Sequence, residues 1–274
     1  MKKRIIAVNS NCYHGYSIEE AIAGIKAAGF KYIELTATKG WTEHVFPDQS
    51  FKRLLEVKDM LDEAGLIPFA MSGHTNLMDT GRIADFVNNI RMAHFFGCDY
   101  IVSSVGEAHL EDKAVASNEV VAEHIKGFLP YLEKYDMKLV LETHGDHGTG
   151  KILKEICALV DSERVLINYD TANAIFWGYM SCDEMVEDFR ASCDKVAYMH
   201  LKDKLGGTHE WSFPALGKGY IPFKPIFETM DEKDNMSPYS IEIEFTAEGP
   251  KDLEEINTAV RDSAEYLKAM GFEL

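Results

Sequence analysis

Short apolar runs alternate with amphipathic helical stretches from one end of this chain to the other, and the alternation repeats eight times. A strand that leads into a helix and then into the next strand builds a parallel sheet with crossover helices. The strand-like runs are Ile5–Asn9, Tyr32–Leu35, Ile67–Ser72, Tyr100–Val105, Lys138–Glu142, Val165–Asp170, Val196–His200 and Tyr239–Glu244. Ile18–Ala28, Phe51–Ala64, Ile83–Phe96, Glu119–Tyr135 and Leu253–Met270 repeat apolar residues at three- and four-residue spacing, the helical period. Right-handed crossovers in such a run favour closure into an α/β, (β/α)8 barrel over an open sheet. With 274 residues and 46% hydrophobic composition, a single domain over residues 1–274 is expected.

The punctuation agrees. Gly29, Gly65 and Gly97 each stand where a helix must stop before the next strand, and Ser17 with Glu20 three residues on has the capping-box pattern. No GxGxxG or GxxxxGK[ST] turn follows any strand, so a nucleotide phosphate cradle is not indicated. The longest irregular segments, Thr36–Gln49 and Lys202–Gly219, follow the second and seventh strands and are expected to wall the mouth of the barrel.

Charge narrows the partners. Lys and Arg total 28 against 45 Asp and Glu, a formal charge of -17, which opposes any partner bound through its phosphates. Nucleic acid is therefore not expected. The five cysteines are scattered, odd in number and without a CxxC pair, which fits a reducing compartment. The basic start is followed only by Ile5 to Val8 before Asn9 interrupts, so neither an export signal nor a membrane span is expected, and the protein reads as cytoplasmic.

The chemistry lies at four strand ends. Leu139-Val140-Leu141-Glu142, Val165 to Asp170, Val196 to His200 and Tyr239-Ser240-Ile241-Glu242 each end on a metal-ligand side chain. The C-terminal ends of parallel barrel strands converge on one mouth, so residues far apart in sequence can meet there. Three carboxylates and one imidazole suit Mn²⁺ first, and also Mg²⁺, Co²⁺ or Zn²⁺, while a thiolate site is excluded by the scattered cysteines. Taken singly, each carboxylate is as readily a barrel salt bridge. Glu242 and Glu244, two apart, face the same side of a strand, so either could complete the set.

Those four segments, with Thr143-His144 after Glu142, Asn173 after Asp170, Lys202-Asp203 after His200 and the turn Leu216-Gly217-Lys218-Gly219-Tyr220-Ile221-Pro222-Phe223, resemble the xylose isomerase-like TIM-barrel superfamily of sugar phosphate isomerases and epimerases. The similarity spans nearly the whole chain. It implies a divalent metal held by Glu142, Asp170, His200 and Glu242, with Glu244 left as a neighbouring or substrate contact. It implies further that Glu142 and Glu242 are the acid/base pair of an isomerase or epimerase acting through an enediolate. A proton α to a carbonyl becomes removable when a cation steadies the resulting charge. Return of that proton to the opposite face gives an epimer, and return to the next carbon an isomer.

Around this centre, His74, His144 and Lys202 are candidate substrate contacts, each weighed against a loop histidine or a structural Lys-Asp pair. Trp41, Phe46, Trp177 and Trp211 fall in loops over the mouth, where aromatic faces stack on sugars or pack a homo-oligomer interface, and Trp177 is the one assigned to substrate. Asn9, Glu34, Glu107 and His109 could line the mouth, though solvated loop residues or barrel ion pairs are commoner. His94 and His124 fall within helices as surface or packing residues. Lys202, Lys204 and Lys218 are the only evident basic groups near the mouth, so an unphosphorylated sugar or sugar acid is favoured. A lyase of the same superfamily, dehydrating inosose-type cyclitols or cleaving C-glycosides, is the nearest alternative. An apurinic-endonuclease-like nuclease and a non-catalytic sugar-binding barrel are more distant ones.

Overall fold

Residues alternate in and out along each strand, and the period of two separates two cores. The computed structural model describes residues 4–106 and 115–274. Among them, β1 (Ile6–Asn9), β2 (Tyr32–Thr36), β3 (Ile67–Ser72), β4 (Tyr100–Ser103), β5 (Lys138–Glu142), β6 (Val165–Asp170) and β7 (Val196–Leu201) pair in sequence order, all parallel. A two-residue strand, β8 (Ser212–Phe213), stands outside this sheet, and β9 (Tyr239–Ile241) closes the barrel between β7 and β1. The result is a single-domain (β/α)8 barrel. On β5, Leu139 and Leu141 join the large apolar layer under the helices, while Val140 points inward with Ala70, Val102 and Tyr198. The same parity turns Glu142, Asp170 and His200 into the barrel.

The helices are α1 (Ile18–Ala27), α2 (Phe51–Ala64), α3 (Ile83–Phe96), α4 (Asn118–Lys126), α5 (Leu129–Lys134), α6 (Gly150–Val160), α7 (Asn173–Phe176), α8 (Cys182–Ser192), α9 (Phe223–Glu232) and α10 (Leu253–Ala269). Ser17 and Glu20 form the expected reciprocal cap on α1. Gly65 and Gly97 end α2 and α3 at φ +66° and +80°, the left-handed region that costs glycine nothing. Among the described residues no helix is long and apolar enough to cross a membrane.

Two expected elements differ. The stretch Glu119–Tyr135 is broken into α4 and α5, because Pro130 has no amide hydrogen with which to continue the helix past Gly127. Phe128, at the break, is buried against Phe86 with ring centroids 4.9 Å apart. The last strand stops at Ile241 rather than Glu244. Beyond it Phe245 adopts φ +57°, and β10 (Phe245–Thr246) turns to pair antiparallel with β8.

The connection after β7 is tied by one carboxylate. Asp203 Oδ1 accepts from the amides of Lys204 at 2.8 Å and Ile221 at 3.1 Å, and Oδ2 from those of Gly217 and Gly219, both at 2.8 Å. The Leu216-Gly217-Lys218-Gly219 turn thus wraps an anion of the same chain. A Cβ at Gly219 would collide with the Lys204 carbonyl and the Asp203 carboxylate. Gly219→Ala is expected to destabilise the protein by about 1–3 kcal/mol, read as a lowered urea midpoint; an unchanged midpoint would show that the turn relaxes freely.

Candidate metal centre and cavity

Glu142, Asp170, His200 and Glu242 each offer one ligand atom to a group in which these atoms all lie within 4.8 Å of one another. His200 Nδ1 is 3.4 Å from Glu142 Oε2, 3.4 Å from Glu242 Oε2 and 3.9 Å from Asp170 Oδ2. All four residues are buried.

Each carboxylate is oriented by donors on its far side. Asp170 Oδ1 accepts from the amides of Ala172 at 2.9 Å and Asn173 at 2.8 Å, which leaves Oδ2 facing the group. Glu142 Oε1 accepts from Asn173 Nδ2 at 2.7 Å, and its Oε2 meets His74 Nε2 at 2.8 Å. Glu242 Oε1 accepts from Asn9 Nδ2 at 3.0 Å and Asn11 Nδ2 at 3.4 Å, and its Oε2 lies 3.2 Å from Lys202 Nζ. Asn9 is itself fixed, its Oδ1 taking the Asn11 amide and the Thr36 hydroxyl.

Electrostatics follow from this crowding. Burial would raise Glu142, but the imidazoles of His74 and His200 hold it well below the usual carboxylate range. Burial likewise opposes ionisation of Glu242, and Lys202 and His200 hold it low. Asp170 goes the other way: burial pushes it well up, outweighing Lys202, and Glu142 and Glu242 add to the rise. Burial would lower His200, yet Glu34, Glu242 and Glu142 push it well up.

The set fits a divalent cation. Asp170 Oδ2 and His200 Nδ1 are buried atoms without a hydrogen-bond partner, and both point into the group. Three carboxylates this close repel one another unless a proton or cation lies among them, and oxygen with one imidazole nitrogen is the donor set of Mn²⁺, Mg²⁺, Co²⁺ or Zn²⁺.

Above the group opens a cavity of about 730 Å³. His74, His144 and Lys202 are on its wall, with Trp41 and Trp211 from the two long loops. Trp177 is not; it packs against His144, ring centroids 5.1 Å apart, and against Phe176. Phe46 is also off this wall. Trp41 is half exposed and stacks on His14 at 4.3 Å. Glu244 lies beside the group rather than in it, 2.5 Å from Lys202 Nζ and 3.2 Å from Asn11 Nδ2.

The remaining polar residues sort into several roles. Glu34 takes the commoner of the outcomes weighed for it, a barrel ion pair: it is buried inside the barrel against Tyr198 and His200. Asp203 serves the turn after β7 instead of the cavity. Lys204 is buried and donates to the carbonyls of Leu205 and Glu210, and Lys218 pairs with Asp262 on the surface. The wall does carry two unforeseen cations, Lys39 and Arg82, both paired with Asp85. Asn11, Asn173 and Cys12 are further wall residues that sequence reasoning missed. Asn11 follows a strand end within three residues, which is the only signal it carries, and Asn173 stands in the segment after Asp170 that carries the family resemblance. His94 is exposed on α3, and His124 is half-buried on α4. His147 is buried in the turn before α6, and His209 packs on Tyr179 at 4.1 Å. Glu107 and His109 lie outside the described residues.

The family model described as xylose isomerase-like TIM barrel matches residues 22–270. Among curated protein sequences, none matches the chain. Solved structures share the fold across nearly full length. D-allulose 3-epimerase from Methylomonas sp. is 18% identical, with 98% of each chain covered and a TM-score of 0.76. The 3-keto-D-glucoside 4-epimerase of E. coli is 18% identical over 97% of this chain and 100% of that one, at 0.72. The probable 3-DHS dehydratase AsbF of Bacillus anthracis is 16% identical over 98% and 99%, at 0.70. At these identities the likeness is one of fold.

Proposed function

The chain belongs to the xylose isomerase-like TIM-barrel family, and we propose that within it the protein is a divalent-metal-dependent epimerase or isomerase of a sugar or sugar acid. The observation that carries this reading is the ring of Glu142, Asp170, His200 and Glu242 at the floor of a cavity with an aromatic and polar wall. Epimerases that bind D-allulose or act on 3-keto-D-glucosides share the fold, which supports the substrate class. Mn²⁺ is the preferred ion, and those four side chains would hold it.

When bound, the cation supplies charge neutralisation at an oxygen next to the reacting carbon. The residues do the rest. Glu142, steadied by Asn173 and His74, takes the proton α to the carbonyl, and the electron pair of the broken C–H bond stays on the substrate as an enediolate. A proton taken from water is passed to the enediolate by Glu242, steadied by Asn9, Asn11 and Lys202, and Glu142 releases to water the one it took, so the turnover balances. Opposite-face return inverts the carbon and neighbouring-carbon return moves the carbonyl. His144 and Lys202 donate to substrate oxygens, His74, whose two ring nitrogens meet Glu142 and Ser72, presents its ring to the substrate, and Trp177 acts one layer back by fixing the His144 ring. The dehydratase among the fold neighbours makes elimination of water the rival outcome of the same proton removal.

The test is solvent-proton exchange in D₂O over a panel of ketoses and keto-glycosides, with metal content measured on protein purified without chelator. Deuterium at one carbon with inversion supports the epimerase; loss of water with a new C=C bond replaces it with the lyase. Chelation is expected to abolish exchange and lower the thermal midpoint. Mn²⁺ at a hundred times its dissociation constant should restore both, adding about 2.7 kcal/mol of stability. A midpoint indifferent to both treatments would remove the metal from the mechanism.

A further inference from the structure

Glu34 takes no part in the ring of four, yet it is wholly buried inside the barrel. Its oxygens lie 3.1 and 3.0 Å from His200 Nε2, and the Tyr198 hydroxyl donates to Oε2 at 3.0 Å. His200 therefore has one ring nitrogen against a carboxylate and the other, Nδ1, facing Glu142, Asp170 and Glu242 without a hydrogen-bond partner.

We propose that Glu34, braced by Tyr198, is a positioning residue for metal binding, holding His200 by Nε2–H so that Nδ1 is the nitrogen presented to the ring. The inference rests on the divalent-ion reading of that ring. Both oxygens of Glu34 lie within 3.1 Å of Nε2 and one already accepts from the Tyr198 hydroxyl, an acceptor arrangement that places a proton on the nitrogen it faces, whether the imidazole holds one proton or two. The free lone pair is then assigned to Nδ1. A carboxylate behind a ligating imidazole also raises the basicity of the ligand and locks the ring plane. Packing alone does not call for an acid here: the register partner of Glu34 on β3 is Ala70, and Val102 and Val140 fill the interior beside it. Burying a carboxylate among such neighbours is costly unless its partners use it fully, and both oxygens of Glu34 are used.

The experiment measures Mn²⁺ affinity, from free Mn²⁺ in electron paramagnetic resonance, for wild type, Glu34→Gln and Tyr198→Phe, with near-ultraviolet circular dichroism as the check on folding. Gln keeps the shape and removes the charge, and affinity is expected to fall about 10- to 100-fold. Tyr198→Phe leaves the Glu34–His200 pair in place, so its loss should be smaller. In metal-free protein labelled with ¹⁵N-histidine, the His200 Nε2 proton should resonate at low field in wild type and move upfield in both variants, more in Gln. A folded Glu34→Gln variant that is merely less stable, with wild-type affinity and an unmoved resonance, overturns the inference and makes Glu34 an ordinary barrel ion pair. If Gln fails to fold, an unmoved resonance and unchanged affinity in Tyr198→Phe overturn it instead. Wild type that binds no Mn²⁺ overturns the metal reading as well, so the two failures are distinct.

Discussion

A Glu142→Gln variant is expected to retain about a thousandth of the wild-type kcat/KM, the middle of the range for loss of a general base, equivalent to about 4 kcal/mol of transition-state stabilisation. The local geometry makes this substitution more damaging than loss of charge alone. Glu142 now offers an oxygen to each of two donors, Asn173 Nδ2 and His74 Nε2. A glutamine has one oxygen, so one of those donors must face its amide NH₂. The carboxylate is also held ionised by the two imidazoles against the effect of burial, and the amide provides no base to replace it. The measurement is deuterium incorporation into substrate, at Mn²⁺ concentrations high enough to saturate the variant, so that weakened metal binding is separated from lost proton transfer. Exchange above a tenth of the wild-type rate would remove Glu142 from the proton-transfer step and leave Glu242 to act alone.

Asp203→Ala is expected to be the most destabilising single substitution considered, by about 3 kcal/mol or more. Four backbone donors converge on that carboxylate, and hydrogen bonds to a charged acceptor contribute about 1.5–3 kcal/mol each before non-additivity. The amides of Lys204 and Ile221 are buried and have no second acceptor to turn to, whereas those of Gly217 and Gly219 are partly open to water. Urea unfolding gives the stability change, and amide hydrogen exchange at Gly217, Gly219 and Ile221 gives its location. Fast exchange at these three with slow exchange in β5 and β6 would show the turn opening by itself. An unchanged urea midpoint would mean that water replaces the carboxylate without loss. The site should feel the change too, because Phe213, in the same connection, covers Lys202 with the ammonium 4.6 Å from its ring centroid.

Why the barrel was legible in the sequence is clear from β5 and β7. Leu139-Val140-Leu141 and Val196 to Met199 are apolar on both faces, as strands covered inside and out must be, and a single polar residue at the end of each stands out against that background. Asp170 ends a similar run, broken only by Asn168. Glu34 is open to the same argument, which leaves it between the mouth and a barrel ion pair: Ile33 and Leu35 on either side face the helices, so parity alone turns Glu34 inward. Its partner was the part that could not be read, since the contact with His200 crosses 166 residues. Lys204 follows a strand end, a position that in the sequence points to the mouth. Its ammonium is instead spent on two carbonyl oxygens, a fact set by how the loop folds back. The wall cations Lys39 and Arg82 belong to loops whose course no periodicity encodes. The two-residue strands β8 and β10 were equally silent, being too short to carry a pattern and stabilised only by each other.

That small ribbon bears on how the molecule can be altered. β8 lies in the excursion after His200, and β10 in the one after Glu242, and their pairing makes the two excursions a single structural part. Exchanging either segment alone with that of a related barrel would strand the other half of the ribbon. The Trp41 side is bound by a rule of its own: Lys39 after β2 pairs with Asp85 beyond β3, and Trp41 and Thr42 rest on His14 and Asn11 after β1. Each side of the mouth is therefore transplanted with its partner segments or not at all.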